Sequence, residues 1–226
     1  KINLDLKVIN LLKEMSRKRQ PRKEKLRADY YELKQVLGRR PTYLELHLKG
    51  RSDSISYKQE FGSYVGFLYW AGELSEIERD IFKRYENWLI EVEKTNMSKS
   101  YKMVLLKVML DRGVENWFKP ITPKEVAPEF HHYLTDKEYR KRIDFSDKTG
   151  RSLWKYNEEK VSKLISRMPM RKWSGSSRDL VTFENNIFKL NFEIDQDDNK
   201  ILYYWTKEIC EYRLHHYFQR KEERKR

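Results

Sequence analysis

Two stretches decide the fold of the first part of this chain: Leu37-Gly-Arg-Arg-Pro-Thr-Tyr-Leu-Glu-Leu46 and Phe61-Gly-Ser-Tyr-Val-Gly-Phe-Leu-Tyr-Trp-Ala-Gly-Glu-Leu74. In the first stretch, Gly38 can end a helix in the left-handed conformation, and Thr42 with Glu45 forms a capping box that opens the next helix. In the second, the pair at 62–63 can stop one short helix and start another. With a polar turn at 50–54, the pattern predicts three short helices joined by tight turns.

The flanking sequence also has helical periodicity. Apolar residues recur every three or four positions near 3 to 18, from about 22 to 36, and over 75 to 95, where Ser75 and Glu78 form another capping box. We expect a helical domain over 1–74, a connector helix over 75–96 and a second domain over 97–226.

The second domain combines helices with one hairpin. A largely apolar segment predicts a core helix ending near Asp111, and Thr122-Pro123 with a glutamate at 125 predicts a helix to about Tyr133. A cap at Thr135 predicts another helix after it, and a further helix is expected from about Asn157 to Met168.

From Leu180 the apolar period changes to two, which is typical of strands. Asn185 and Asn186 separate two such runs, and asparagine tolerates the positive φ of a two-residue hairpin turn. The chain is therefore predicted to be mainly α, with an N-terminal helix-turn-helix-like helical bundle and a C-terminal winged-helix-like α+β domain with one β-hairpin. The acidic cluster at 195–198 should cap a last long helix.

Charge indicates the class of partner. The chain has 48 lysines and arginines against 35 aspartates and glutamates, a net charge of +13, which favours a polyanion such as nucleic acid. No apolar run reaches the ~20 residues of a membrane span, so no membrane partner is expected. The single Cys210 excludes an internal disulfide and fits a reducing cytoplasm.

The short helices suggest how DNA could be bound. In a helix-turn-helix arrangement the second helix enters the major groove, while flanking cations contact phosphates. For the first domain, the predicted groove and phosphate contacts are Arg39, Arg40, Lys49, Arg51, Ser54, Ser56, Tyr57 and Lys58. For the second domain, the predicted contacts on the helix after Asn157 and on the hairpin are Lys160, Lys163, Arg167, Arg171, Lys172, Asn185, Asn186 and Lys189.

The sequence of the first domain resembles the homing-endonuclease-associated repeat, a helical DNA-binding module. The matching residues are Leu37, Gly38, Arg39, Pro41, Thr42, Phe61, Gly62, Ser63, Tyr64, Ala71 and Gly72. Tyr64 stands where the family more often has tryptophan. The resemblance implies DNA binding by this module.

The second domain is similar to the C-terminal region of large bacterial superfamily 2 helicases of the restriction and phage-defence kind. The similar segments are Ser-Tyr-Lys-Met-Val-Leu-Leu at 100–106, Asp-Phe-Ser-Asp-Lys at 144–148 and Trp-Thr-Lys-Glu-Ile-Cys-Glu-Tyr-Arg-Leu-His at 205–215. This resemblance implies that the chain is part of a longer protein, with ATP and Mg²⁺ acting only in upstream motor domains. Its expected partners are duplex DNA, those motor domains and a nuclease or methyltransferase.

Catalysis by this part of the protein is not expected. No Gly-x-x-x-x-Gly-Lys-Ser/Thr loop is present, so no cofactor is predicted here. The histidine pairs at 131–132 and 215–216 are adjacent on predicted helices, so their rings diverge and no metal site is predicted. Asp198-Asn199-Lys200 has the spacing of some nuclease motifs, but it falls where a helix cap is expected.

Two other functions fit the composition. The second domain could instead be a protein-interaction domain that docks on the motor or on a nuclease or methyltransferase. Alternatively, aromatic residues interleaved with cations, at 139–142 and 171–173, could stack the bases of a single strand.

Overall fold

The computed structural model describes residues 8–11, 15 and 21–224. This described part is mainly helical, with a two-stranded antiparallel hairpin near the C-terminus, which confirms the predicted class at that level. The helix predicted near 3 to 18 falls mostly outside the described residues, although 8–11 and 15 are helical.

Four helices form the N-terminal part: α1 (Arg22–Leu37), α2 (Tyr43–Lys49), α3 (Ile55–Phe61) and α4 (Tyr64–Trp70). Gly38 ends α1 with a φ of 68°, and the Thr42 side chain accepts a hydrogen bond from the Glu45 amide. The Ser63 side chain caps α4 by accepting from the Gly66 amide. The predicted short helices and their caps are therefore confirmed.

The centre is built by α5 (Glu76–Lys94), α6 (Tyr101–Leu110) and the last long helix, here α12 (Gln196–Glu223). Every residue of α6 except Lys107 is buried, as predicted for a core helix. The Trp88 indole of α5 donates to Thr206 of α12 over 3.0 Å. The buried side chains of α1 to α12 form one contiguous core, and the domain boundaries near 74 and 96 stay predictions.

Helix α7 (Pro123–Thr135) is followed by α8 (Glu138–Asp144) and the short α9 (Lys148–Arg151). The predicted cap of α8 by Thr135 is wrong. Thr135 still belongs to α7, and its hydroxyl donates to the His131 carbonyl over 2.8 Å. Because Thr135 is the last residue of α7 and α8 begins only at Glu138, the Thr135 hydroxyl is not at the capping position, and α8 begins without a side-chain cap.

The helix predicted to end near Met168 continues to residue 174. It comprises α10 (Glu158–Ile165), a π-helical turn (Ser166–Met170) and α11 (Arg171–Ser174). Pro169 lies in the π-helical turn. A proline lacks an amide hydrogen and clashes with the carbonyl four residues earlier, so the wider turn lets the helix pass through it.

Strands β1 (Val181–Glu184) and β2 (Ile187–Leu190) pair in antiparallel register. Asn185 and Asn186 have φ values of 49° and 64°, which confirms the predicted hairpin turn. A further bridge joins Ile121, just before α7, to Phe188 of β2 through backbone hydrogen bonds of 2.9 and 2.8 Å. The hairpin is thereby joined to the segment that leads into α7.

Candidate nucleic-acid interface

A row of cations follows one side of α10 to α11. Successive spacings of three, four and four residues place Lys160, Lys163, Arg167 and Arg171 along a single helical face. Lys172 adjoins them, and all five side chains are exposed. We call these five residues the basic helix face.

The opposite side of the same helix holds it in place. Val161 and Ile165 are fully buried, and α10 packs on α7. The Asn157 side chain caps α10 by accepting from the Lys160 amide over 2.9 Å. The basic helix face therefore projects from a rigid, capped helix.

No carboxylate neutralises this face at close range. Within the part of the chain that the structure describes, none of its five cations takes part in an ion pair shorter than 4.0 Å. A phosphate can approach them without displacing an internal partner, which favours anion binding.

The hairpin contributes polar groups beside that helix. Asn185, Asn186 and Lys189 are exposed, and the Phe183 amide of β1 donates to the Ser174 hydroxyl of α11 over 3.2 Å. Helix and hairpin thus form one packed unit with the predicted polar residues on its surface.

The predicted phosphate contacts in the N-terminal part differ from the basic helix face, because three of these cations already form ion pairs with glutamates. Arg39 contacts Glu45 at 2.6 Å, Arg40 contacts Glu78 at 3.0 Å and Arg51 contacts Glu32 at 2.8 Å, whereas Lys49 is exposed. The hydrogen bond from Arg39 lowers the pKa of Glu45 to about 2. A phosphate would have to compete with these carboxylates.

The prediction of an exposed reading surface at the start of α3 is wrong for Ser54 and Tyr57. Both are buried: the Tyr57 hydroxyl donates to the Leu26 carbonyl over 2.9 Å, and the Ser54 hydroxyl lies 3.0 Å from that of Tyr212 on α12. Ser54 lies against α12 and Tyr57 against α1, so the groove contact predicted for these two residues has no free surface.

The two remaining residues of that predicted surface are half-buried. Ser56 accepts a hydrogen bond from Arg22 over 3.0 Å. Burial, and then the positive charge of Arg213 on α12, lower the pKa of Lys58. Lys58 is half-buried, so less of its side chain is open to a phosphate than in the exposed cations of the basic helix face.

Sequence reasoning missed two carboxyl groups, the buried Glu93 of α5 and the half-buried Glu208 of α12. Glu93 is fully buried, and its Oε2 accepts from the Tyr64 amide over 2.8 Å; burial raises the pKa of Glu93 to about 7. Glu208 accepts from the Tyr43 amide over 2.6 Å, and desolvation likewise raises its pKa to about 7. A signal was present for Glu93, because it falls four residues after Leu89 on the apolar face of α5.

The other chemical motifs have structural surroundings. His131 contacts the Leu153 carbonyl at 2.8 Å, and Asn199 accepts from the Trp117 indole over 2.7 Å. Burial raises the pKa of Cys210. Over residues 8–11, 15 and 21–224, no group of three or more His, Cys, Asp or Glu side chains is placed to hold a metal ion.

Trp173 packs in the core, so the alternative in which it stacks an unpaired base has no exposed ring to support it. This side chain is fully buried, and its indole donates to Glu91 over 2.8 Å. At 139–142, the Arg140 guanidinium lies over the Tyr133 ring at 4.0 Å, while Tyr139 is exposed.

Among the described helices, none has the length and apolar character needed to cross a membrane.

Comparisons with protein-family models, with curated proteins and with solved structures found no match to this chain.

Proposed function

We propose that this chain is a DNA-binding accessory region that docks on duplex DNA through the basic helix face and catalyses no reaction itself. The observation that carries the proposal is the row of five exposed cations on one helix without close carboxylate partners. Lysines and arginines that contact phosphates release bound counterions, which provides affinity without sequence selectivity.

The order of elements supports a winged-helix-like arrangement. Helix α6, the segment at Ile121, helix α7, the α10 to α11 helix and the hairpin follow one another, with Ile121 bridged to Phe188 of β2. Helices α8 and α9 are insertions between the second and third helices. In this arrangement the third helix, which is the one with the basic helix face, lies against the DNA. The Asn185-Asn186 tip reaches the adjacent backbone or minor groove.

The N-terminal module has a secondary part in this proposal. Arg39 and Arg51 can exchange their glutamates for phosphates, and Lys49 adds a further contact. The main contact thus lies in the second part of the chain rather than at residues 54 to 58. In the proposed context of a larger helicase or restriction system, ATP hydrolysis belongs to motor domains outside this chain.

The test is the salt dependence of duplex binding, measured by fluorescence anisotropy. The variant K160A/K163A/R167A/R171A removes four cations from the basic helix face. The control K23A/K83A/K119A/K200A removes four exposed cations from other positions, so both variants have the same net charge. The slope of log K against log salt should shrink by about 0.9 for each lost phosphate contact, or roughly 3 to 4 in the first variant.

The control should keep most of the wild-type slope, and circular dichroism should give the same helix content for all three proteins. Equal slopes for the two variants would refute the proposed interface. We also expect R39A/R51A to weaken binding less than the basic-face variant, because those guanidinium groups already have carboxylate partners.

A further inference from the structure

A cleft of about 880 Å³ lies where the end of α5 and the start of α6 face the segment from 168 to 180. That volume is within the ~300 to 1,000 Å³ typical of small-ligand pockets, and it is too small for a duplex. The basic helix face reaches this cleft, because Lys172 belongs to both.

The cleft has an excess of positive charge. The cations that line it are Lys94, Lys99, Lys102, Lys172 and Arg178. Two carboxylates oppose them: Glu91, which accepts the Trp173 indole hydrogen bond, and Asp147, which pairs with Lys99 at 2.7 Å. The remaining cations favour an anionic ligand.

Lys102 is the most buried of these cations. Its ammonium group donates to the hydroxyls of Thr95 and Ser176 over 2.8 and 3.0 Å, and burial lowers its pKa. It has no carboxylate within 4.0 Å among the described residues. A buried ammonium held only by hydroxyls gains by pairing with a phosphate, since that restores the charge compensation lost on burial.

The backbone at the edge of the cleft is strained. Arg178 and Asp179 have φ values of 52° and 65°, and neither is a glycine. Non-glycine residues rarely adopt this left-handed conformation, because the Cβ atom crowds the following carbonyl oxygen. The Ser177 hydroxyl holds the turn by accepting from the Val181 amide over 3.1 Å. Backbone strain of this kind is concentrated at binding sites. Here the strained turn holds Arg178, whose guanidinium lines the cleft.

Apolar residues also line the cleft, namely Ile90, Tyr101, Met168, Pro169 and Leu180. A ligand that combines a phosphate with a flat apolar group matches both kinds of lining residue. We propose that the cleft binds a nucleotide, its phosphate on the cations and its base on the apolar residues, at the unpaired end of a DNA strand. This inference rests on the proposed function, because the basic helix face would guide the strand to Lys172.

The test uses a fluorescent duplex with a short single-stranded 5′ overhang, bearing either a 5′-phosphate or a 5′-hydroxyl. The phosphorylated form should bind about tenfold or more tightly, since contacts to charged groups are strong. The variant K94Q/R178Q, which changes two exposed cleft residues, should lose this preference. The control K83Q/K200Q should retain it.

Equal affinity for the two ends, or a preference that survives K94Q/R178Q, would overturn the inference. Competition with free deoxyadenosine monophosphate distinguishes a free nucleotide from a nucleotide at a strand end. We expect the free nucleotide to compete less well than the phosphorylated overhang. Equal competition by the two would overturn the assignment to a strand end. Blunt-duplex binding separates the two proposals. If binding of the blunt duplex depends on the basic helix face but the phosphorylated end is not preferred, only the inference fails. If the phosphorylated end is preferred but binding of the blunt duplex does not depend on the basic helix face, only the proposed duplex docking fails.

Discussion

Replacing Glu93 by glutamine should stabilise the protein at alkaline pH. The Glu93 carboxyl group is fully buried, one oxygen accepts from the Tyr64 amide, and Oε1 has no hydrogen-bond partner among the described residues. Glutamine preserves the shape and the acceptor oxygen and has no charge to bury. The variant therefore removes the desolvation cost without opening a cavity.

The magnitude follows from the pKa of Glu93, which burial raises from 4.5 to about 7. Between these pH values the folded state holds a proton that the unfolded state has lost, so stability falls as pH rises through this window. The contribution of the Glu93 proton to the free energy of unfolding is complete below pH 4.5 and is lost above pH 7. At 1.36 kcal/mol for each pH unit, the free energy of unfolding should fall by about 3 kcal/mol from Glu93 alone.

The assay is urea unfolding of the wild type and of Glu93→Gln at pH 4, 6 and 8. The variant should have a shallower fall in stability, while Glu208, whose pKa is also raised to about 7, maintains part of the slope. Glu86→Gln, an exposed position on the same helix, is the matched control and should follow the wild type. Identical pH profiles for the wild type and Glu93→Gln would refute the reasoning.

Three further predictions concern stability and are measured by thermal or denaturant unfolding. Asn186→Val should cost about 1 to 2 kcal/mol, because a β-branched residue resists the φ of 64°, whereas Asn186→Gly should be tolerated. Trp88→Ala should cost about 3 to 5 kcal/mol, since the side chain is buried and donates to Thr206. Thr42→Ala should cost about 1 kcal/mol, because it removes the capping box with Glu45.

Each of these has a distinct contrary result. Equal melting temperatures for the valine and glycine variants at 186 would contradict the turn argument. A loss under about 1 kcal/mol for Trp88→Ala would mean that the site closes around the deletion. Unchanged stability in Thr42→Ala would show that the cap adds nothing beyond solvent contacts.

Local structure was largely predictable from the sequence. The caps at Thr42, Ser63 and Ser75 and the hairpin turn at 185–186 depend on hydrogen bonds and φ preferences within about four residues, and the structure has them where they were predicted. The errors were also local: Thr135 stays within α7 instead of capping α8, and the helix predicted to end near Met168 continues through the π-helical turn that contains Pro169.

The candidate site divides in the same way. The helix after Asn157 was predicted to present Lys160, Lys163, Arg167 and Arg171, and they are exposed as expected. Exposure could not be predicted for Ser54 and Tyr57, because the elements that cover them lie elsewhere in the chain: the Ser54 hydroxyl meets that of Tyr212, 158 residues away, and the Tyr57 hydroxyl meets the Leu26 carbonyl, 31 residues away. The cleft beside Lys102 was equally hidden, because its walls come from two segments that are far apart in the chain, 87–102 and 168–180.

The sequence by itself determined the mainly helical class, the excess of positive charge and the row of cations on one helix. Periodicity, capping and composition act over short distances or over the chain as a whole. Only the tertiary structure decided which cations are neutralised, as Arg39 and Arg40 are, and which carboxyl groups are buried, as Glu93 is. The physical reason is that burial and ion pairing depend on which distant elements meet, and the packing of α12 against α2, α5 and α6 brings those elements together.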